Sequence, residues 1–234
     1  MGDGIYSALS GAIAEARALE VAANNLANVS TTGFKKEKLS FREVLMGEDS
    51  TQRQVRIEPT GTDFAQGNIT RTGGPLDAAI LGPGFFAVST PQGERYTRAG
   101  SFTLDPSGRL VTPAGFQVLG ANGPVKVDTS EPVSIAPDGT LLSGTDPVAR
   151  LKVVDFANPQ ALERLGDGLW GPSGQTPQPV ADAKLEPGAL EQSNVNAVEG
   201  MTELILISRA YEAFASTLQS YRQVDSRTTT ELGR

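Results

Sequence analysis

The sequence predicts an α+β fold that is mainly β, with N- and C-terminal α-helices paired as a coiled coil and an antiparallel β domain inserted between them. Three observations predict this class. Apolar or small residues recur at alternating steps of four and three near the N-terminus, and a similar repeat runs near the C-terminus. The long segment between the two repeats contains short β-like runs separated by Gly and Pro. Such a chain is suited to stacking with copies or relatives of itself.

The first helix is predicted from about Gly4 to Leu26, in a stretch that is rich in Ala and free of Pro. Its repeat of about 3.5 residues is typical of a narrow seam that packs against another helix. Asn24 and Asn25 weaken the helix near its end, and Thr32-Gly33 predicts a turn. The seam that we expect to pack against other helices and subunits consists of Ile5, Leu9, Ala12, Ala16, Leu19, Ala23 and Leu26.

Residues 35–64 are polar and have no clear period, so they predict an irregular or partly extended connector. Residues 65–188 predict a β-rich outer domain. Its strongest turn signal is the sequence DPSG at 105–108, because Pro presets φ and Gly accepts a positive φ. The predicted strands lie at 85–88, 95–98, 101–104, 110–111, 116–119, 133–135 and 148–156. Asn158-Pro159 predicts a brief helix that ends at Gly166.

The closing helix is predicted to begin near Asn196, where Asn196 and Glu199 resemble a capping box, and to run to about Thr229. Residues 1–34 and 189–234 are thus predicted to supply the two helices of one inner coiled-coil domain. The C-terminal seam that we expect to pack between helices and subunits consists of Leu204, Ile207, Tyr211, Phe214, Leu218 and Tyr221.

The composition argues against several classes of function. The net charge of −7 over 234 residues disfavours non-specific nucleic-acid binding. No stretch is apolar enough to span a bilayer, and the N-terminus lacks the basic and apolar regions of a cleaved signal peptide. Cys and His are both absent, which removes thiolate ligands and the commonest general base and metal ligand. We therefore predict no enzyme activity, no catalytic, cofactor or metal site, no small-molecule ligand and no membrane insertion.

Glycoside hydrolysis uses a pair of carboxyl groups, and the β region offers three candidates for such an acid/base pair, namely Asp77, Glu94 and Asp105. Asp105, however, lies in a turn that prefers Asp for backbone reasons. The neighbouring aromatic residues Phe85, Phe86 and Phe102 are typical of a β core rather than of a ligand pocket. The sequence therefore favours a structural role for this region.

Three separated motifs, in order along the chain, resemble the bacterial flagellar rod and hook family. They are ANNLAN and TGFK at 23–28 and 32–35, GPGFFAV and YTRAGSF at 82–88 and 96–102, and LEQSNVN and SRAYE at 190–196 and 208–212. The residues that carry the resemblance are Asn24, Asn25, Leu26, Asn28, Gly33, Phe34, Gly84, Phe85, Phe86, Tyr96, Thr97, Arg98, Gly100, Phe102, Ser193, Asn194 and Val195.

This resemblance implies an axial subunit of the flagellar basal body, in the rod that crosses the periplasm. Such a subunit is expected to be exported by the flagellar type III apparatus without a cleaved leader, and to polymerise with other rod subunits and with copies of itself. The resemblance also implies an inner layer of helices and an outer layer of β domains. Residues 197–205 and the short length are most similar to proximal rod subunits, and distal rod subunits are the alternative.

A second class of function is a secreted, adhesin-like β domain that oligomerises through its terminal helices. A trimeric adhesin usually has one long coiled coil rather than two helical segments at opposite ends of the chain. The split seam therefore favours the rod subunit. Loss of motility on deletion of the gene would distinguish the two classes.

Overall fold

The computed structural model describes residues 2–39, 41–45, 53–57, 61–128 and 130–232. Helix α1 (Gly2–Ala27) and helix α2 (Ala197–Leu232) lie at the two ends of this range. The strands between them are β1 (Glu37–Lys38), β2 (Phe41–Leu45), β3 (Arg53–Ile57), β4 (Gly61–Thr62), β5 (Ile69–Arg71), β6 (Ala78–Leu81), β7 (Phe85–Thr90), β8 (Gly93–Thr97), β9 (Thr103–Leu104), β10 (Leu110–Val111), β11 (Gln117–Gly120), β12 (Gly123–Pro124), β13 (Val133–Ile135), β14 (Thr140–Ser143), β15 (Asp146–Arg150), β16 (Val153–Asp155), β17 (Glu163–Gly166), β18 (Leu169–Gly171), β19 (Gln178–Pro179), β20 (Lys184–Pro187) and β21 (Ala189–Glu191). The α+β class with a predominance of strands is confirmed.

The chain divides into two compact units. The helical unit contains Met1–Asn28, Lys36–Asp63 and Val195–Arg234, and the β unit contains Val29–Lys35 and Phe64–Asn194. Both ends of the sequence therefore meet in one unit, while the long middle of the sequence forms the other.

Helices α1 and α2 pack against each other in opposite directions within the helical unit. Gly11 of α1 faces Phe214, whereas Leu26, further along α1, faces Gly200, which lies earlier in α2. A Cβ atom built on Gly11 would lie 2.7 Å from Cε1 of Phe214, so the aromatic ring lies directly against the backbone of α1. A Cβ atom on Gly200 would lie 3.7 Å from Cδ1 of Leu26, which is an ordinary contact.

The two helix ends nearest the middle of the sequence are both held by asparagines. The Asn196 Oδ1 atom accepts hydrogen bonds from the backbone N–H groups of Val198 at 3.0 Å and Glu199 at 3.4 Å, which confirms the predicted N-cap of α2. The Asn25 side chain exchanges two hydrogen bonds with the backbone of Glu37, at 2.8 and 2.9 Å. These bonds fix strand β1 beside the end of α1.

The segment predicted as a connector contains two antiparallel strand pairs among its described residues. Strand β1 pairs with β4, and β2 pairs with β3 along their whole length, with Phe41 opposite Ile57. The sequence analysis did not assign individual strands here because most residues of this segment are polar and the apolar ones, such as Val55 and Ile57, alternate only briefly. The prediction allowed a partly extended chain here, and the structure adds that the extended parts are paired.

Strand β7 is the centre of the β unit. It pairs with β8 along one edge, while β11 and β16 share the other edge. The main sheet runs β17-β18-β8-β7-β11-β10-β9, with β12 beside β11 and β19 beside β16. The other strands of this unit form the antiparallel groups β13-β14-β15, β20-β6 and β21-β5. The predicted antiparallel body is confirmed.

Side chains alternate across β7 and fill a separate apolar cluster on each face of the sheet. Phe86 and Val88 belong to the larger cluster, whereas Phe85 and Ala87 belong to the smaller one. The ring centroids of Phe86 and Phe102 lie 5.1 Å apart in an edge-to-face contact. Because both faces of β7 are covered, its sequence is a continuous apolar run, and the predicted core role of these aromatic residues is confirmed.

Two predicted elements of the β unit are wrong. The predicted helix at 158–166 is only a short 3-10 helix at Pro159–Ala161, and Asn158 makes no side-chain capping hydrogen bond. The rest of that segment forms strand β17, in which Arg164 lies opposite Trp170 of β18. The run at 148–156 is not one strand, because β15 and β16 pair within different sheets. Long-range pairing overrode the local signal in both places.

We expect Gly11→Ala to lower the thermal stability of the helical unit and Gly200→Ala to raise it or leave it unchanged. Both changes favour a helix by about 1 kcal/mol. Only the first pushes a methyl group into the ring of Phe214, an overpacking that costs about 1–3 kcal/mol. Thermal unfolding followed by far-ultraviolet circular dichroism measures the difference. A stabilising Gly11→Ala change would contradict the close approach at this position.

Candidate functional site

Three charged side chains from distant parts of the sequence meet inside the β unit. The Lys35 ammonium lies 2.5 Å from Glu191 Oε1, and the Arg98 guanidinium lies 2.7 Å from Glu191 Oε2 through Nη2 and 2.9 Å from it through Nε. The exposed fractions of the three residues are 1% for Lys35, 4% for Arg98 and 1% for Glu191. We call these three residues the ionic cluster.

Backbone groups satisfy further hydrogen-bonding positions of the ionic cluster. The Gly67 N–H donates to Glu191 Oε1 at 3.0 Å, and the Lys35 ammonium donates to the Ala65 carbonyl at 2.8 Å. The Gly33 N–H also donates to the backbone carbonyl of Glu191 at 2.7 Å. Residues 33–35 and 65–67 are therefore both tied to strand β21.

Arg98 fixes the turn that precedes β7. Its Nη1 atom donates to the carbonyl oxygens of Gly82 at 2.9 Å and Gly84 at 2.5 Å. Gly84 has a φ of +127°, which only glycine adopts without strain, so its carbonyl can turn toward the guanidinium. The glycines of the second sequence motif thus shape a site for an internal cation.

Arg164 provides a second anchor for the segment that ends at Lys35. Its guanidinium carbon lies 4.6 Å from the centroid of the Phe34 ring and 5.0 Å from that of Trp170, within the range of cation–π contacts. Its Nη2 atom also donates to the backbone carbonyl of Lys35. Sequence reasoning missed Arg164, because its partners lie far from it in the sequence.

The motif residues around the ionic cluster have identifiable structural roles. Gly33 has a φ of +69°, and a Cβ atom there would lie 2.5 Å from the backbone nitrogen of Ala99. A Cβ atom on Gly100 would lie 1.7 Å from the Ala78 carbonyl oxygen. Both positions therefore need glycine for a close backbone approach. Ser193 is buried, and the Asn194 side chain donates to the Ala65 carbonyl at 3.1 Å.

The remaining motif residues divide between the two units. In the β unit, Thr97 Oγ1 accepts a hydrogen bond from the Ala99 N–H at 3.1 Å, and Tyr96 is buried. In the helical unit, Val195 is buried, and the Asn28 side chain donates to the Asn24 carbonyl at 2.8 Å. The structure thus brings Arg98 to the ionic cluster but places the asparagines of the first motif in another unit.

The predicted seam of α1 differs from the side of the helix that the structure buries. Leu9 and Ala23 are exposed, Ala12 is buried, and Ala16, Leu19 and Leu26 are half-buried. The buried side instead consists mainly of small residues: Ala8, Gly11, Ala12, Ala14, Ala18, Val21, Ala22 and Asn25. Residues 11, 14, 18 and 21 of this side repeat every seven residues, as the predicted seam does, so the two sides differ in phase rather than in period.

The predicted seam of α2 follows the more buried side of that helix. Leu204, Ile207, Phe214 and Leu218 are half-buried, while Tyr211 is exposed. Ile5 of the first seam and Tyr221 of the second lie outside the residues whose side chains the structure describes. Packing of either seam between subunits stays a prediction.

Large apolar side chains are exposed on both helices. Four of them lie in the first turns of α2, and two lie on α1. Their exposed fractions are 73% for Val198, 54% for Met201, 53% for Ile205, 62% for Leu206, 45% for Leu9 and 56% for Ile13. An apolar surface of this kind is typical of a protein–protein contact.

The carboxylates considered for acid/base chemistry have local partners. Hydrogen bonds from the backbone N–H of Arg109, together with its side chain and the Ser107 N–H, lower the pKa of Asp105, which opposes a role as a general acid. Glu94 forms an ion pair with Lys152 at 2.7 Å. Burial raises the pKa of Tyr96 to about 12, and Glu94 adds to this shift.

Neither described helix has an apolar stretch long enough to cross a membrane. The described side chains also do not bring three or more carboxylates into a group that could hold a metal ion.

Three family descriptions match the chain in succession. "Flagella basal body rod protein" matches residues 5–35, "Flagellar hook protein FlgE/F/G D1 domain" matches 79–143, and "Flagellar basal body rod FlgEFG protein C-terminal" matches 186–231. Lys35, Arg98 and Glu191 each lie in a different one of these regions. The ionic cluster therefore joins the three regions of the family.

The similar proteins agree with this result over nearly the whole chain. The flagellar basal-body rod protein FlgF of Caulobacter vibrioides is 38% identical, with 100% of this chain and 99% of the relative aligned. FlgF of Escherichia coli K12 is 36% identical over 94% of both chains. FlgG of Bacillus subtilis is 32% identical over 89% of this chain and 91% of the relative.

The chain belongs to the family of flagellar basal-body rod proteins. This result confirms the predicted family and the prediction that the chain is a structural protein rather than an enzyme. In a rod protein the ionic cluster is a structural tie: one carboxylate neutralises part of two positive charges, and all three side chains hold backbone segments in place.

We expect Glu191→Gln to lower the free energy of unfolding of the β unit of this rod protein by about 3–5 kcal/mol, because it removes the charge of the carboxylate that the two buried cations share. The matched control is Glu186→Gln. Glu186 pairs at 2.8 Å with Arg71, which is largely exposed, so its loss is expected to cost less than about 1 kcal/mol.

Urea unfolding followed by fluorescence measures both variants. The chain has a single Trp, and Trp170 is buried in the β unit, so the signal reports on that unit. Equal losses of stability in Glu191→Gln and Glu186→Gln would contradict the role of the ionic cluster.

Proposed function

We propose that this rod protein is an axial subunit of the proximal rod, which polymerises with copies of itself and with other rod subunits to transmit torque. The exposed apolar side chains of α2 are the observation that carries this proposal. FlgF relatives are 34% to 38% identical to the chain and FlgG relatives are 32% to 34% identical, which favours the proximal over the distal rod.

Helix α2 needs neighbours to bury its apolar surface. Its 36 residues extend over about 54 Å, and Gly200 alone is buried among its residues with described side chains. One side, with Leu204 and Phe214, packs toward α1 as a coiled coil. The opposite apolar surface contacts other subunits.

Export by the flagellar type III apparatus is part of the same proposal. A subunit that passes through a narrow export channel must travel largely unfolded. The absence of Cys means that no disulfide would hinder its threading. Burial of apolar surface at the growing tip would then stabilise helices that have only marginal stability in an isolated subunit.

We expect Leu218→Asp to abolish incorporation into basal bodies and swimming. The change places an unpaired carboxylate at a half-buried apolar position of the seam of α2, which is costly. The β unit should still fold, which the fluorescence of Trp170 reports. Immunoblots of purified basal bodies and swimming in soft agar measure the outcome.

The matched control is Gln219→Asp, which adds the same charge at the adjacent exposed position and should swim normally. Normal incorporation of Leu218→Asp would contradict packing of the seam. The adhesin alternative predicts a different result, because deletion of the whole gene would then leave swimming intact.

A disulfide between Leu81→Cys and Lys184→Cys should block export when it is formed and permit export when it is reduced. These two exposed positions are partners in the antiparallel pair of β6 and β20. Antiparallel partners have Cα atoms about 4.5–5.5 Å apart, which suits a disulfide. The bond would close a loop across most of the β unit and prevent its unfolding.

The experiment uses a strain with an oxidising cytoplasm, because the normal cytoplasm keeps thiols reduced. Cell fractionation and immunoblots measure the exported fraction, with the single Leu81→Cys variant as the control. Equal export of the cross-linked and reduced forms would rule out unfolded export.

A further inference from the structure

A wide groove runs through the helical unit beside the early turns of α2. It has a volume of about 870 Å³ and lies between α1, residues 36–39 and α2. We call it the acceptor groove. Its apolar lining consists of small side chains on α1, Ala18 and Ala22 among them, and larger side chains on α2, including Leu206. Leu206 is 62% exposed, so the groove is open to a partner.

The charges that line the acceptor groove are mainly negative. Four carboxylates line it, those of Glu15, Glu37, Glu199 and Glu203, against the two ammonium groups of Lys36 and Lys38. Both ammonium groups also have partners within the unit, since Lys36 lies 3.4 Å from Glu203 and Lys38 lies 2.7 Å from Asp63. The groove thus fits an apolar ridge that carries a positive charge.

The exposed side of α1 has such a ridge. Leu9, Ile13 and Arg17 are spaced four residues apart, so they form one line along the helix. Leu9 and Ile13 are exposed large apolar residues, and Arg17 follows about 6 Å further along the axis. We call these three residues the donor ridge. At about 100° per residue, Leu9 and Ile13 point roughly 180° away from Ala18 and Ala22 of the groove.

We propose that the donor ridge of one copy of this chain docks into the acceptor groove of the next copy. Leu9 and Ile13 would cover the exposed apolar lining around Leu206, while Arg17 would face the carboxylates of Glu15 and Glu199. The inference rests on the proposed function, because it assigns the surfaces through which the rod subunit contacts its own copies.

The positions of the two surfaces determine the kind of assembly. Ridge and groove lie on opposite sides of the same helix, so one copy uses both at once with two different neighbours. Such a heterologous contact continues from subunit to subunit and forms a ring or an open helix, whereas a self-complementary patch stops at a dimer. Continued addition of copies is what an axial structure requires.

Single-cysteine variants test the contact directly, because the native chain has no Cys. Ile13→Cys and Leu206→Cys chains with different tags are produced together in the source bacterium after deletion of its own gene. Purified basal bodies are then oxidised. We expect a mixed dimer that carries both tags. Ile13→Cys combined with Leu165→Cys, an exposed position in the β unit, is the control and should give none.

Two outcomes would overturn the inference. If the only dimers join two Ile13→Cys chains or two Leu206→Cys chains, the contact between copies is isologous. Cross-links from Leu206 to a different basal-body protein alone would show that another rod subunit occupies the groove.

A charge exchange provides a second test that leaves the apolar surface unchanged. Arg17→Glu should reduce swimming, and Glu199→Arg in the same chain should restore it. Arg17 also pairs with Glu20 at 2.6 Å, so Glu20→Gln is the control and should swim normally. A double variant that swims no better than Arg17→Glu would overturn the pairing of Arg17 with the groove.

The wild-type chain separates failure of this inference from failure of the proposed function. If that chain does not restore swimming to the deletion strain, the proposed function is wrong. If it restores swimming and the mixed dimer still does not form, only the docking of ridge into groove is wrong.

Discussion

Burial of Glu191 between Lys35 and Arg98 is the interaction on which the rest of the β unit depends. Removing three charges from water is costly, and their attraction offsets the cost only if every charge has good partners. The cluster meets this condition with backbone groups such as the Gly67 N–H and the Gly84 carbonyl. Strand β21, the turn before β7 and the segment that ends at Lys35 must therefore occupy their observed positions together.

The helical unit differs from the β unit because it buries small side chains and exposes larger apolar ones. Its buried side on α1 consists mostly of small residues, which allow close approach but bury little apolar area. Its larger apolar residues, such as Val198 and Ile13, are exposed instead. The β unit, in contrast, holds two apolar clusters of its own. In the rod that we propose, the helical unit supplies the contacts between subunits, and the β unit supplies its own apolar core.

Local patterns in the sequence predicted the elements whose signals are local. The start of α2 followed from the Asn196 cap, and β7 followed from an apolar run between turns. Signals that arise only in the folded chain were missed: Glu191 and Lys35 looked like ordinary charges in the sequence, yet they are partners 156 positions apart. The predicted helix at 158–166 was wrong because Arg164 pairs with Trp170, and no feature near Asn158 indicates that pairing.

If the chain is exported unfolded, as we propose, a charged cluster suits it. In the unfolded chain Lys35, Arg98 and Glu191 regain their hydration, so the cluster contributes less net stability than three apolar side chains of similar size would. Its geometric demands are stricter, however, because a shifted strand would leave a buried charge without its partner. We interpret the ionic cluster as an interaction that specifies one arrangement of the three family regions while it contributes only modestly to the net stability of the β unit. The export that we propose, with the chain unfolded in the channel and folded at the growing tip, requires that combination.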